Sequence, residues 1–518
     1  MTGELIMSIE NTSRRYNAKR NIVFGGIQRV HHILFPFLIR TVMIYTLGIE
    51  YLGLNSLFTS ILQVLNLTEL GIGSAMVYSM YKPIAEHDTE TICALMHLYK
   101  KCYRIIGAII AVVGLAIVPF IRLLVSGSIP DDVDLTVLYL LNLAATVLSY
   151  WLFAYRNCLL VAHQRTDISS KVTIVVNTVQ FALQIAVLIF LKNYYIYLIL
   201  LLVGQIAINV ITAVVSQKLF PLYTPKGNID QIILLDIKKK VSALFISKIG
   251  GVVLGSADTI IISAFLGLTS LAIYQNYFFI VSSIYGTVEI ILNSITAGLG
   301  NSLISESEAK NINDFKNISF GFSWLICICV CCFTVAAQPF MEIWAGKSNV
   351  LPFGMVVCFA LYFIAYEYSR LFNVYKNAAG SWYNDRFRPL ISAILNLILN
   401  ISTVRVLGLY GISLSTVVAL SVVEIPWLIY SVYHDVFTPT YEKEYVSCFL
   451  KEVFVTLISC AFASAANLIF IENIFVTMVV RLLAGLFISF FFYWLFFHRT
   501  GLYKNSTFMI KDVLERKQ

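Results

Sequence analysis

The chain has 518 residues, of which 58% are hydrophobic and only 13% charged, a balance that excludes a soluble globular protein, since a hydrated surface of this size needs far more charge. The formal net charge of +8 invites a nucleic-acid partner, but a membrane protein carries the same excess of Lys and Arg in its cytoplasmic loops, so no nucleic acid is expected.

A helix needs about 20 apolar residues to cross a hydrocarbon core, and such runs follow one another almost without pause. In chain order, spans are predicted near 22–47, 52–80, 103–125, 135–161, 172–191, 195–217, 241–266, 271–299, 317–338, 350–375, 389–404, 411–433, 449–470 and 474–497. The first follows Arg14, Arg15, Lys19 and Arg20 and lacks the short apolar core and small-residue cleavage site of a signal peptide, so it reads as a membrane helix. With the N-terminus inside, most Lys and Arg fall in cytoplasmic segments, which places both termini in the cytoplasm.

The external links at 48–51, 192–194, 267–270 and 471–473 are too short to hold a catalytic domain. The longest internal segment, 217–240, carries Lys218, Lys226 and the run Lys238, Lys239, Lys240; it reads as a linker with an amphipathic stretch around 229–237. Shifting the chain by about 219 positions places Arg29 on Lys248, Leu47-Gly48 on Leu266-Gly267 and Leu52 on Leu271, the mark of a parallel repeat. The expected fold class is therefore an all-α polytopic membrane protein of about fourteen transmembrane helices. It comprises a six-helix bundle (1–217), a cytoplasmic linker (218–240), a second six-helix bundle (241–433) in pseudo-two-fold arrangement, and two further helices with a cytoplasmic tail (434–518).

Ionisable groups at lipid depth cost several kcal/mol unless they meet a partner or a water-filled cavity, so each is a functional candidate. Arg29 and Arg40 are eleven residues apart, about three turns, and share one helix face. Lys248 and Asp258, ten apart on the seventh span, lie close to one face. Basic faces on corresponding helices would line a cavity suited to a phosphate or pyrophosphate, for which arginine supplies charge and a fixed fork of donors. Structural pairing with Glu50, Glu69 or Glu289 is the alternative. Asp258 is a candidate for binding a coupling ion, Na+ or H+, or a fixed partner of Lys248. His31 and His32 are either proton relays or polar cavity residues, and only one of them faces a given cavity. Glu69 and Arg156 complete the candidate set, while Glu367 and Arg370, three apart, read as an intrahelical pair. Tyr274, Tyr277 and Tyr285 are candidates for stacking on sugar rings, and Arg122 and Arg481 lie near enough to span ends to snorkel.

Cys327, Cys329, Cys331 and Cys332 lie in an apolar run with no His or acidic neighbour at ligand spacing, so they read as small buried side chains and no metal site is expected. Ala345-Gly346-Lys347-Ser348 lacks the first glycine of a phosphate-cradling loop and falls in an external loop, which argues against ATP. No catalytic or cofactor motif occurs, so an enzyme is not expected, and energy must come from an ion gradient, the membrane potential or the substrate gradient.

Several short motifs then carry a resemblance: Gly26-Ile27-Gln28-Arg29, Leu47-Gly48-Ile49-Glu50-Tyr51-Leu52-Gly53-Leu54, Glu69-Leu70-Gly71-Ile72-Gly73, and Asp258-Thr259-Ile260-Ile261 before Leu266-Gly267. Over essentially its whole length the chain resembles the polysaccharide-export branch of the multidrug/oligosaccharidyl-lipid/polysaccharide superfamily, the Wzx-type flippases. The resemblance implies two six-helix bundles in a V, two added C-terminal helices, and alternating access in the bacterial cytoplasmic membrane. The implied substrate is an undecaprenyl-pyrophosphate-linked oligosaccharide, with Arg29, Arg40 and Lys248 meeting the pyrophosphate. Implied partners are membrane lipids, a polysaccharide polymerase and glycosyltransferases. Rival readings are a cation-exporting multidrug transporter of the same superfamily, a flippase for cell-wall precursor, and a membrane ligase or polymerase.

Overall fold

The structure, a computed structural model, describes residues 14–69, 71–127, 129–381 and 385–506; Leu70 of the Glu69–Gly73 motif and both chain ends lie outside the described residues, as do the side chains of Arg14, Arg15, Lys19 and Lys240. Every described element is helical. By packing, the chain divides into two compact units, Met1–Ala272 and Ile273–Gln518.

The first unit opens with α1 (Arg14–Thr46), which ends where Leu47 and Gly48 donate their N–H groups to the Met43 carbonyl at 3.0 and 3.1 Å. Gly48 adopts φ 116°, ψ 165°, a conformation that side chains resist, and α2 (Ile49–Leu65) follows. A 3₁₀ turn, Asn66–Glu69, and Gly71 at φ 92° interrupt this span before α3 (Ile72–Ala85). Asp88 caps α4 (Thr89–Ile117) by accepting from the Thr91 N–H at 3.0 Å, and Asp134 caps α5 (Leu135–Trp151) through the Thr136 and Val137 N–H groups. After α5 the chain bends by 46° and continues into α6 (Asn157–Ala162). Helices α7 (Thr166–Ala186) and α8 (Tyr194–Leu219) form the next hairpin, with α8 capped by Asn193.

Asp230 accepts from the Ile232 N–H at 3.0 Å at the start of α9 (Gln231–Ser305), where Ile232 and Leu235 are exposed and Ile237 is buried. This amphipathic turn runs on into α9, which is broken at Gly267 (φ 85°, ψ 174°). Gly267 thus repeats the backbone of Gly48, 219 positions earlier. The two turns are neighbours in the first unit: Thr269 donates to Glu50 at 3.2 Å, and a Cβ on Gly53 would stand 2.5 Å from the Leu268 carbonyl oxygen, so only glycine admits this close approach.

In the second unit α10 (Glu308–Ala345) is the hub. A ladder of buried polar contacts, Ser319 with Tyr445 at 2.7 Å, Ser323 with Glu452 at 2.5 Å and Thr334 with Cys460 at 3.2 Å, fixes it against α15 (Glu442–Ser464). Phe320, Trp324, Cys327, Cys331 and Val335 of α10 pack on Tyr493 and Phe497 of α16 (Ile474–Phe497). The sulfurs of Cys327 and Cys331 stand 3.9 Å apart as free thiols, as expected of small core side chains. α11 (Phe353–Ala378) and the hairpin of α12 (Arg388–Leu407) with α13 (Leu409–Ala419) complete the bundle, together with α14 (Ile425–Ser431). Arg481 closes the α15 to α16 connection by donating to the Ile469 and Asn467 carbonyls at 2.8 Å.

Ten helices among the described residues are long and apolar enough to cross a membrane, or eleven with the bent pair after Leu135. α1 is not among them, α2 is too short alone, and Lys248–Leu292 counts once despite the Gly267 break. The chain is a multi-pass membrane protein.

Candidate functional site

α1 presents two different faces. His31 is buried, its Nε2 is 3.0 Å from the Thr178 hydroxyl of α7, and its ring packs with Phe35 and Phe181 at 4.2 and 5.6 Å. Two residues before it, about 200° around the helix, Arg29 points away from this contact. His32, Pro36 and Arg40 continue the Arg29 stripe. His32 is exposed, with its Nε2 3.4 Å from Gln28. Arg29 is half-buried, and its buried Nε has no hydrogen-bond partner. The half-buried Arg40, about 16 Å further along the axis, lies within electrostatic reach of the Tyr197 hydroxyl on α8. The α1 arginines therefore share a face, and only His32 of the two histidines joins them.

Lys248 is exposed on α9 and Asp258 is half-buried; ten helical residues separate them by about 15 Å along the axis, too far for a fixed pair. Arg156 is buried in the turn between α5 and α6, where its Nη1 has no partner and its backbone carbonyl accepts from the Ser216 hydroxyl at 3.1 Å.

Glu69 stands apart from this set, in the break between α2 and α3. The Tyr103 hydroxyl donates to its Oε1 at 2.6 Å, the Tyr150 hydroxyl to its Oε2 at 2.8 Å, and Tyr99 donates to Tyr103 at 2.6 Å. Charge-assisted bonds of this kind are the stronger ones. The network borders an open cavity of about 520 Å³. None of these tyrosines was a sequence candidate; the only local signal is the four-residue spacing of Tyr99 and Tyr103 on α4.

In the second unit, Arg370 pairs with Glu289 at 2.5 Å and stacks near Tyr366, which corrects the intrahelical Glu367–Arg370 pair. The guanidinium reaches across to α9, and Glu367 is fully buried with neither carboxyl oxygen hydrogen-bonded. Tyr274 and Tyr277 are likewise not free to stack on a ligand: both are buried against Phe359, and the Tyr277 hydroxyl accepts from the Leu351 N–H at 3.1 Å. Tyr285 packs against Tyr366 with ring centroids 4.8 Å apart and the planes tilted by 46°. A second cavity of about 440 Å³ is lined almost wholly by apolar groups, among them Ile284, Cys329, Phe333, Met478 and Leu482.

Gly346 of the Ala345–Ser348 stretch ends α10 at φ 90°, where the Asn349 side-chain Nδ2 donates to the Ala345 carbonyl at 2.7 Å, a helix-terminating turn. Among the described residues no cluster of His, Cys, Asp or Glu could hold a metal ion.

No family model and no curated sequence matches the chain. Solved structures do. The lipid II flippase MurJ in an inward closed conformation aligns with TM-score 0.64 at 15% identity, over 92% of this chain and 99% of that one. An inward-facing multidrug resistance MATE family transporter of the MOP superfamily aligns with TM-score 0.56 at 14% identity, over 78% and 97%. A mutant form of VcmN, a MATE transporter of Vibrio cholerae, gives TM-score 0.51 at 16% identity, over 82% and 98%. The chain therefore has the fold seen in a lipid II flippase and in MATE transporters of the MOP superfamily.

Proposed function

We propose that this protein is a flippase that carries an undecaprenyl-pyrophosphate-linked oligosaccharide outward across the bacterial cytoplasmic membrane by alternating access, for surface polysaccharide synthesis. The observation that carries this reading is the Arg29 side chain: half-buried on the face of α1 turned away from α7, with a buried Nε that has no acceptor inside the protein. A donor left unpaired at depth is costly, and a phosphate oxygen removes that cost when substrate is present. Arg40 on the same face and Lys248 on α9 are the further cations assigned to the pyrophosphate. The apolar cavity beside Cys329 and Met478 suits the chemistry of a lipid tail.

On this reading the chain has fourteen spans, two six-helix bundles and two added helices, with both ends cytoplasmic. It works beside glycosyltransferases and a polymerase and catalyses no covalent step itself. Asp258, His31 and His32 are the candidates for Na+ or H+ coupling. The test is Arg29→Ala, followed by assay of lipid-linked intermediates on each membrane face. We expect accumulation on the cytoplasmic face with unchanged protein level; loss of protein in place of activity would make Arg29 structural.

A second reading, export of organic cations as in the multidrug transporters that share the fold, is favoured by one observation. Glu69 is held by phenol groups and borders an open cavity, and among the described residues no cation pairs with it.

A further inference from the structure

The cavity beside Glu69 lies wholly within the first unit, and its wall is chemically unlike the Arg29 face. Among the described residues its lining includes Glu69, Ser74, Tyr78, Tyr81, Tyr103 and Asn157, with no basic side chain. The charge that the described lining itself presents is the carboxylate of Glu69, which favours hydrogen-bond donors over a phosphate. What the wall offers is acceptors and aromatic faces. Each Glu69 oxygen already accepts one phenol, and a carboxylate has about four lone-pair sites, so acceptor capacity remains on both. Tyr78 and Tyr81 are 61% and 46% exposed, with ring centroids 6.2 Å apart and the planes near perpendicular. Exposed to this degree, both rings present aromatic surface at the cavity wall, and their edge-to-face placement makes a corner against which a hydroxyl-rich sugar ring can rest.

We propose that this cavity is the subsite for the first sugars of the substrate head. Sugar hydroxyls donate to Glu69 and Asn157, while the axial C–H groups of the pyranose, partly positive, rest on the negative faces of Tyr78 and Tyr81. The volume of about 520 Å³ falls in the range of small-ligand sites. Gly73 keeps the wall open: a Cβ there would come within 3.0 Å of the Tyr99 hydroxyl and press on the phenol chain that fixes Glu69. Glu289, 220 positions on from Glu69 in the second unit, is instead paired with Arg370. The proposal rests on the flippase reading, in that it assigns the glycan half of the same substrate.

The test uses the purified full chain in lipid nanodiscs and measures binding of two probes. One is undecaprenyl pyrophosphate without sugars; the other is the lipid-linked oligosaccharide extracted from cells lacking the gene. We expect wild type to prefer the glycan-bearing lipid by about tenfold or more. Tyr81→Ala and Glu69→Gln bring the ratio of affinities towards one, and Tyr81→Phe, which keeps the ring, preserves it. Each variant is first shown to elute and melt as wild type does, which the exposure of Tyr81 favours. Equal preference in wild type and variants would overturn the sugar subsite and leave the flippase standing. No preference in wild type would overturn both. Glu69-dependent binding of tetraphenylphosphonium, with the glycan indifferent, would hand the cavity to the cation reading.

Discussion

Asp385 lies buried between two buried cations, Lys376 and Arg388, and Arg388 in turn meets Glu424 and donates to Asn373 at 3.0 Å. Such a cluster costs a great deal to assemble in a low dielectric and is stable only while every charge is answered. Removing one member strands the rest, a loss of about 3–5 kcal/mol. We therefore expect Asp385→Ala to lower the amount of protein in the membrane sharply, as read by immunoblot of membrane fractions. An unchanged level would show that the two cations find other acceptors. In the first unit Asp167, 218 positions earlier, is fully buried and is met by Arg20 at 2.5 Å, Arg165 at 3.1 Å and Lys171 at 3.3 Å. Two buried aspartates in corresponding places, each among cations, fit the repeat that the Leu-Gly turns suggest. Neither stood out in the sequence, since each lies in a polar connection where a charge is unremarkable. The Glu367–Arg370 expectation failed for the complementary reason. A three-residue spacing permits a local pair, but α9 offers Arg370 a better-aligned carboxylate in Glu289, and spacing along one helix says nothing about its neighbours.

At the level of elements, the turns at Gly48 and Gly267 were legible because positive φ leaves a glycine in the sequence. The break at Asn66–Glu69 was not, for it contains no proline and its hydrophobic pattern continues across it. With that break unseen, Glu69 counted as one more charge inside a span instead of the acid on which Tyr103 and Tyr150, from two other helices, converge, with Tyr99 behind Tyr103. The connection between α6 and α7 hides a similar contact. His163 stacks on Phe220 at 4.3 Å and on Tyr223 at 5.8 Å, and so fastens the segment after α8. Burial holds its imidazole down to about 4, below the ordinary value near 6.5. The folded state therefore keeps His163 neutral where the unfolded chain protonates it, so stability is full above about pH 6.5 and falls as pH drops towards 4. We expect the thermal midpoint of the purified protein to decline over that interval, and His163→Phe, which keeps the stack without the titration, to flatten the decline. A decline of equal size in that variant would assign it to other groups.

For the molecule as a whole, the open quantity is the number of crossings. Ten helices qualify by length and apolarity alone, whereas fourteen are needed if α1, the α2–α3 span, the bent α5–α6 pair and both arms of α9 around Gly267 each cross. The four added crossings are the ones that carry the proposed chemistry or its breaks: α1 holds Arg29 and Arg40, and a helix with two arginines at depth scores poorly on hydropathy for the reason that makes it interesting. The distribution of basic residues discriminates between the counts. With fourteen spans, Lys218 and Lys226 face the cytoplasm together with the 376–388 connection, while Lys192 and Glu472 face outward, in keeping with positive-inside bias. Dropping α1 alone would reverse every later loop and send the basic segments outside. A periplasm-dependent reporter such as alkaline phosphatase, fused after Lys192 or Glu472, should be active, and fused after Lys226 or Asn505 it should be silent. Activity after Lys226 together with silence after Lys192 would mean that α1 does not cross. Arg29 would then no longer sit at lipid depth, and the pyrophosphate assignment would fall with it.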